Sequence, residues 1–206
     1  MSGQAVFWVV MDDTRLRRAL ARDVDAAFPL LLTAHQDRIY TIALRILADR
    51  ADAEEATQDA FVRAYRALMD YPPERIEGLS LRPWLATIVL NACRNRRRRA
   101  SDRRPPVRLG PLLEAGFDPG DPAPSIESIG EWRGEVEAWE GRLGTLSRNQ
   151  RTAIVLHHVD GLSYPEIAGV LGQPEGTVKA NVHRGLRRLR EQLEAEGAQR
   201  REEMTA

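Results

Sequence analysis

The sequence has little of what several common protein classes depend on. Its single cysteine, Cys93, excludes an intramolecular disulfide framework and a zinc site with several cysteine ligands. Its apolar runs are short, as in residues 5–11, whereas a membrane-spanning helix needs about 20 consecutive apolar residues. The first ten residues lack the charged start, the long apolar stretch and the cleavage site of a secretory signal. We therefore expect a cytoplasmic protein without membrane insertion.

Sequence patterns for catalysis and metal binding are also lacking. The four histidines are scattered, and the adjacent His157 and His158 point about 100° apart on a helix, so they cannot chelate as an i,i+4 pair. Cys93 has no plausible histidine nearby, and the chain has neither a phosphate-binding loop nor a dinucleotide fingerprint. We therefore expect no enzyme, no catalytic residues, no metal site and no cofactor.

The 206 residues carry no net charge, but the charges are unevenly distributed. The net charge is +3 over residues 28–100, −5 over residues 101–140 and +2 over residues 141–206. Seven arginines fall among the eleven positions 94–104. This profile indicates two anion-binding parts joined by an acidic segment.

Apolar spacing predicts three helices in the first basic part. In the first, isoleucines recur at three- and four-residue spacing. Asp52 with Glu55 predicts the N-terminal cap of a second helix, which ends near Met69 before Pro72-Pro73. A loop to about Arg82 and a third helix from about Pro83 follow. The apolar positions of the three helices are Ile39, Ile42 and Ile46; Ala53, Ala56, Ala60, Ala64 and Leu68; and Trp84, Leu85, Ile88 and Val89.

Six prolines fall within residues 101–135, together with several glycines and aspartates. Such a composition cannot make a continuous helix or pack a core, so we expect a flexible acidic linker over residues 101–137. No convincing strand pattern occurs anywhere in the chain. The sequence therefore predicts an all-α fold with two small helical domains joined by this linker.

The last sixty residues predict a helix-turn-helix. Two capping patterns begin helices, Gly172 can adopt the left-handed conformation that ends the second, and Pro174 suits the first turn of a third. In this motif the last helix enters the major groove of DNA. The capping pairs are Ser147 with Gln150 and Ser163 with Glu166. The expected buried positions of the last helix are Val178, Val182, Leu186, Leu189 and Leu193, with Lys179, His183 and Arg187 on another face.

The third helix of the first part carries side chains suited to nucleic acid. Asn91 and Asn95 lie one helical turn apart, with Arg94 and Arg98 beside them and Trp84 on the same helix. Asparagine amides can read base edges, and arginine can hold phosphates and stack on exposed bases. A solvated basic helix end would explain the arginines alone, whereas the whole group indicates a nucleic-acid surface.

The second helix carries an acidic face, on which we expect exposed side chains at Glu54, Glu55, Gln58, Asp59 and Phe61. Two interpretations stay open for this face. It is either a docking surface for a basic protein partner, or a solvated face with one aromatic residue in the core.

The stretches 43–68, 82–99 and 146–190 together resemble the extracytoplasmic-function (ECF) sigma factors of bacterial RNA polymerase, which are compact members of the sigma-70 family. The resemblance covers about residues 28–100 and 140–194. It implies sigma region 2 over residues 23–100, a linker over 101–137 and sigma region 4 over 138–195. Residues 1–22 would be an unassigned N-terminal extension and 196–206 a tail.

The resemblance implies a function in transcription initiation. Region 2 would bind the β′ clamp helices of core RNA polymerase and recognise and melt the promoter −10 element. Region 4 would read the −35 element and touch the β flap. The factor itself would catalyse no covalent chemistry. Many members of the family are held inactive by an anti-sigma factor, so we expect a separate inhibitor of this kind.

The resemblance also assigns three groups of residues by their positions in the family's motifs. Those matching the polymerase-binding helix are Glu55, Gln58, Asp59 and Phe61. Those matching the −10 surface are Trp84, Asn91, Arg94, Asn95 and Arg98. Those matching the −35 face are Thr177, Lys179, Ala180, Asn181, His183 and Arg184. The chain departs from the usual pattern at Asn181 and at Gly185-Leu186, so its preferred promoter sequence does not follow from the resemblance.

Two other functions are compatible with part of the sequence. A dimeric helix-turn-helix regulator that does not deliver polymerase would explain residues 147–194 equally well. It would leave the acidic helix and the arginine–asparagine cluster without a purpose. A decoy that binds and titrates another regulator is the second alternative.

Overall fold

The computed structural model describes residues 12–102, 139 and 141–203. Within these residues the chain forms helices and no strand, which confirms the all-α class. The predicted linker lies outside the described residues, except that residues 101 and 102 continue a helix. The first domain contains α1 (Asp13–Arg22), α2 (Val24–Leu47), α3 (Arg50–Asp70), α4 (Pro73–Glu77) and α5 (Leu81–Asp102). The second contains α6 (Arg148–Ile154), a π-helical turn (Val155–Val159), α7 (Tyr164–Leu171) and α8 (Glu175–Glu203).

The core of the first domain follows the predicted apolar stripes. Helices α2, α3 and α5 pack against one another, and the small side chains of α3 allow their close approach. Leu85 and Val89 of α5 are buried, whereas Trp84 and Ile88 are only partly covered. Buried on α2 and α3 are Ile39, Ile42, Ile46, Ala53, Ala56, Ala60, Ala64 and Leu68.

Helix α1 belongs to this domain, although residues 1–22 were expected to be an extension outside it. Its leucines Leu16 and Leu20 are fully buried, and it packs against α2 and α4. Arg17 donates a hydrogen bond from Nη1 to the Leu79 carbonyl at 2.9 Å. In a helix of ten residues only two side chains mark the buried face, so the period was too short to recognise.

The start of α3 also differs from the prediction. The cap is Asp49, whose side chain accepts the Asp52 N–H at 2.8 Å, and the helix begins at Arg50. Asp49 has extended backbone, and the preceding Ala48 is left-handed with φ 57°, so the chain turns before Asp49 rather than after it. Asp52 is therefore inside the helix and does not cap it.

The predicted loop between α3 and α5 contains a short helix. Pro73 stands in the first turn of α4, where a missing N–H costs nothing, and Ile76 is buried. Helix α5 consequently begins at Leu81, two residues before the predicted start at Pro83.

The second domain contains the predicted helix-turn-helix. Ser147 Oγ accepts the Gln150 N–H and Gln150 Oε1 accepts the Ser147 N–H, at 3.4 and 3.1 Å. Gly172 has φ +63° and ends α7 as expected. Pro174 stands just before α8 instead of inside its first turn. Val178, Val182 and Leu189 are buried as expected, whereas Leu186 is half-buried and Leu193 is 41% exposed.

The two domains pack directly on each other. Helix α7 lies against α5, and the π-helical turn lies against α2. One apolar cluster runs through both domains and includes Leu90 and Cys93 of α5 with Ala153, Leu156 and Ile167. We call this contact the domain junction.

Candidate nucleic-acid and polymerase interfaces

The predicted −10 residues lie together on the outer side of α5. Asn91, Arg94 and Arg98 are exposed, and Asn95 is half-buried. Arg94 donates from Nη1 to Asn91 Oδ1 at 2.9 Å, so these two side chains lie over the same turn. A recess of about 750 Å³ runs beside them and is lined by arginine and asparagine side chains without a carboxylate among the described residues. Such a recess attracts phosphates and offers amides to base edges.

An aromatic group lies near the start of α5. The ring of the half-buried Trp84 stands 6.4 Å from the ring of Tyr71, with 56° between the ring planes. The guanidinium of Arg75 in α4 lies over the Tyr71 ring, 3.7 Å from its centroid. The sequence analysis selected Trp84 but not Tyr71. Aromatic faces of this kind can stack on unpaired bases.

The predicted −35 residues occupy the open side of α8. Thr177, Lys179, His183 and Arg184 are exposed, while Ala180 and Asn181 are half-buried. The buried Val178 and Val182 face the domain interior, so the two faces are separated as in a recognition helix. The Lys179 ammonium donates to Glu175 at 2.6 Å, and this bond raises the pKa of Lys179 and keeps it cationic.

The acidic face of α3 differs from the predicted exposure at Phe61 and Asp59, and its exposed Glu55 is paired. Phe61 is only 6% exposed and packs edge-on against Phe28, with ring centroids 6.5 Å apart, so it belongs to the core. Glu55 is exposed but pairs with Arg96 of α5, which also bonds to Asp52 at 2.6 Å. Gln58 is exposed and Asp59 half-buried.

An apolar side chain that the sequence analysis missed stands next to Phe61. Val62 is 49% exposed and follows Asp59 by three residues, so the two side chains lie on the same face of α3. Met69 lies two helical turns after Val62 and is 53% exposed. The signal in the sequence that could have identified this residue was a valine that shares a helical face with an acidic residue.

Cys93 and His157 are placed as structural residues, whereas His183 lies on the exposed face of α8. Burial raises the pKa of the Cys93 thiol to about 12, and its side chain is 1% exposed, so it is a poor nucleophile. His157 stacks on Tyr164 with ring centroids 4.4 Å apart. Within the described residues, no group of three or more His, Cys, Asp or Glu side chains is arranged to hold a metal ion. Among the helices of that part, none has the length and apolarity to cross a membrane.

A buried ion pair fastens the domain junction. Arg38 of α2 donates from Nε and Nη2 to the two carboxylate oxygens of Asp160, the Nη2 bond measuring 2.7 Å, and the Asp160 side chain is 0% exposed. Arg38 also donates to the Arg82 carbonyl at 3.1 Å, and Arg82 donates to the Asp160 carbonyl. We call Arg38, Arg82 and Asp160 the clasp.

The π-helical turn places Asp160 in the clasp. The Asp160 N–H donates to the Val155 carbonyl at 2.9 Å, which ends the turn. Gly161 then adopts φ +70°, which side-chain-bearing residues rarely adopt, and reverses the chain. The sequence analysis did not select Asp160, because its partner arginines lie far away in the sequence.

Comparison with known proteins agrees with this architecture. Residues 31–103 match the Sigma-70 region 2 family and residues 137–189 match the Sigma-70, region 4 family. The RNA polymerase sigma-H factor of Pseudomonas aeruginosa is 34% identical over 176 residues, covering 84% of this chain and 89% of that protein. The chain belongs to the ECF sigma factors of RNA polymerase.

Further comparisons support the same placement of this sigma factor. The ECF RNA polymerase sigma factor SigE of Mycolicibacterium smegmatis is 34% identical over 163 residues, covering 79% of this chain but only 60% of that longer protein. The structure of the sigma factor RpoE of Bartonella quintana, in complex with the anti-sigma factor NepR, matches with a TM-score of 0.58 and 25% identity. That match covers 81% of this chain and 96% of the other.

These matches decide between the functions left open by the sequence. Both domains of the chain match sigma-factor regions. A dimeric helix-turn-helix regulator would account for the second domain only. The protein is a sigma factor that directs RNA polymerase to initiate transcription at specific promoters, and such factors act without enzymatic chemistry of their own.

Proposed function

We propose that this sigma factor binds core RNA polymerase through α3, opens the −10 element with α5 and reads the −35 element with α8. The observation that carries the proposal is the pair of exposed basic faces, one on α5 of the first domain and one on α8 of the second. Arginines and amides on α5 suit separated strands, and the side chains of α8 suit a major groove. On α3, Gln58, Asp59 and the exposed Val62 form the polymerase-binding stripe, in which Phe61 takes no direct part.

The closed arrangement of the domains is the inactive form of the factor in this proposal. Elements at −35 and −10 lie about 25 base pairs apart, or about 85 Å at 3.4 Å per base pair. A compact chain of this length has a radius of gyration of about 17 Å, so domains in direct contact cannot reach both elements at once. The clasp must therefore open when the factor joins polymerase at a promoter.

A separate anti-sigma factor is the regulator we propose. The sigma factor of Bartonella quintana is seen with such a partner, and it shares the two-domain fold. An inhibitor of this kind would hold the domains away from polymerase and DNA. We further propose that the protein acts in the cytoplasm, where its polymerase works.

Run-off transcription with core RNA polymerase tests the proposal. Genomic fragments, including the region upstream of this protein's own gene, serve as templates, with and without the factor. Discrete new transcripts are expected, which Asp59→Ala reduces through lost polymerase binding and Asn91→Ala reduces without changing polymerase binding. Asp37→Ala, an exposed carboxylate on α2 outside both surfaces, is the matched control and should leave transcription unchanged.

The outcomes separate the two halves of the proposal. If Asp59→Ala behaves like Asp37→Ala, the polymerase-binding stripe is assigned to the wrong face of the domain. If Asn91→Ala keeps full transcription on every active template, α5 does not recognise the −10 strand through this residue.

A further inference from the structure

We infer that the domain junction contains a binding site for a small phosphate-bearing ligand, of mononucleotide size or below. The site is a cavity of about 200 Å³ between α5, the start of α6 and the end of α7. Arg94 and Arg97 line it from the first domain, and Arg148, Asn149 and Gln173 from the second. We call it the junction cavity. It exists only while the two domains are in contact.

The cavity concentrates positive charge without a described counter-charge. No carboxylate is among the residues that line it in the described part of the chain. Burial and the neighbouring Arg148 lower the pKa of Arg97, and burial and Arg97 lower the pKa of Arg151. Arg97 and Arg151, from different domains, both donate to the single carbonyl of Ile46 near the end of α2. Closing the domains therefore brings like charges together, and a bound anion would relieve that repulsion.

The chemistry of the lining favours a phosphate group. Guanidinium groups bind phosphate oxygens through paired N–H donors, and several of them match a doubly charged group better than a carboxylate. The Oε1 end of the Gln173 amide is buried and makes no hydrogen bond within the described residues, so it can accept a ligand hydroxyl. Leu90 and Leu171 add apolar surface to the same cavity.

The size of the cavity limits the ligand. Pockets for drug-sized molecules measure about 300–1,000 Å³. The junction cavity, at about 200 Å³, therefore holds a phosphate group and only a few further atoms. The neighbouring recess of about 750 Å³ shares Arg94, Arg97 and Arg148 with the cavity. A nucleoside attached to the phosphate can extend into this recess. Free phosphate and a mononucleotide are therefore the two sources of the same chemistry.

The expected consequence is a ligand that favours the closed form. A molecule that binds only the closed form raises the closed-to-open ratio by the factor 1 + [L]/Kd, which is about 100-fold at 100 times Kd. Its effect on transcription rests on the function proposed above, whereas the binding itself does not. A failed transcription assay and a failed binding assay would therefore overturn different claims.

Isothermal titration of the full chain at constant ionic strength is the test, with inorganic phosphate in one arm and adenosine 5′-monophosphate in the other. Arg148→Gln is the main variant, because Arg148 makes no hydrogen bond or ion pair with the described residues and its loss should spare the fold. Arg22→Gln is the matched control, since Arg22 adjoins the start of α2, about 33 Å along that helix from Ile46.

The inference predicts saturable 1:1 binding in at least one arm, weakened at least tenfold by Arg148→Gln and unchanged by Arg22→Gln. Binding in both arms would identify the phosphate group alone as the ligand, and binding only of the nucleotide would place its nucleoside in the recess. Binding in neither arm would overturn the inference. So would binding that Arg148→Gln leaves unchanged.

Discussion

Breaking the clasp should open the domain junction, and Asp160→Asn is the smallest change that does so. The substitution keeps the shape of the side chain but leaves Arg38, which is 18% exposed, without its carboxylate partner. Removing one partner of such a pair costs about 2–5 kcal/mol. We take the lower end, about 2 kcal/mol, because Arg38 keeps the Arg82 carbonyl and is partly hydrated. At 1.4 kcal/mol per tenfold change, the closed-to-open ratio should fall about 30-fold.

Energy transfer between two fluorophores measures this ratio directly. Cysteines introduced at the exposed Arg18 of α1 and Arg188 of α8 report the separation of the domains. The native Cys93 belongs to the apolar cluster of the domain junction and would be uncovered as the junction opens, so Cys93→Ala is the background for both labelled proteins. Transfer should be lower in Asp160→Asn than in wild-type protein, by the amount that a fall of about 30-fold in the closed-to-open ratio produces, with an unchanged helical circular dichroism spectrum.

A double-mutant cycle decides whether the ion pair is responsible. Arg38→Ala and Asp160→Asn should each open the junction, and together they should open it little more than either one. Unchanged transfer in Asp160→Asn would refute the reasoning, and so would fully additive effects of the two substitutions.

Three further predictions follow from single residues. Phe61→Ala should lower the free energy of unfolding by about 3–5 kcal/mol in urea titration, because Phe61 is core, whereas Val62→Ser should leave it nearly unchanged and weaken polymerase binding in a pull-down. Gly185→Ala should fail to give the stabilisation of about 1 kcal/mol that alanine has over glycine inside a helix, because the new Cβ would lie 2.5 Å from Ile154 Cδ1 and 3.3 Å from Gln150 Cβ; a melting temperature raised by that full gain would contradict this close packing. Burial first, and Arg38 second, lower the pKa of His35 from 6.5, so the unfolded chain takes up a proton more readily. The contribution of neutral His35 to the free energy of unfolding should be fully present above pH 6.5 and be lost as the pH falls below it. The melting temperature of His35→Gln should therefore decline less steeply below pH 6.5 than that of the wild type. Equal slopes for the two proteins would exclude this role of His35.

The parts of the fold that short-range pattern controls could be predicted from the sequence. The cap at Ser147 uses partners three residues apart, and the left-handed end at Gly172 depends on one residue's conformational freedom. The alanine stripe of α3 follows from helical period alone. Where two residues offered equal local signals, prediction failed: Asp49 and Asp52 both suit a cap, and only the turn at Ala48 decides for Asp49.

The parts that depend on distant contacts could not be predicted. Helical period places Phe61 at the edge of the buried stripe, three residues before Ala64 and seven before Leu68, and only the contact of its ring with Phe28 on another helix decides that it is core. The clasp joins Arg38 to Asp160 across 122 positions, and nothing local marks either residue as a partner. The candidate DNA faces were easier to recognise, because their basic and amide side chains repeat along single helices.

Footprinting on one active promoter tests the central claim that the two domains deliver polymerase to two separated elements. The template is one that yields a transcript in the run-off assay, probed with core polymerase alone, with the factor alone and with both. Together they should protect segments near both −35 and −10, with unpaired thymines reactive to permanganate only near −10. A symmetric footprint of the factor alone, unchanged by polymerase and without reactive thymines, would contradict the account.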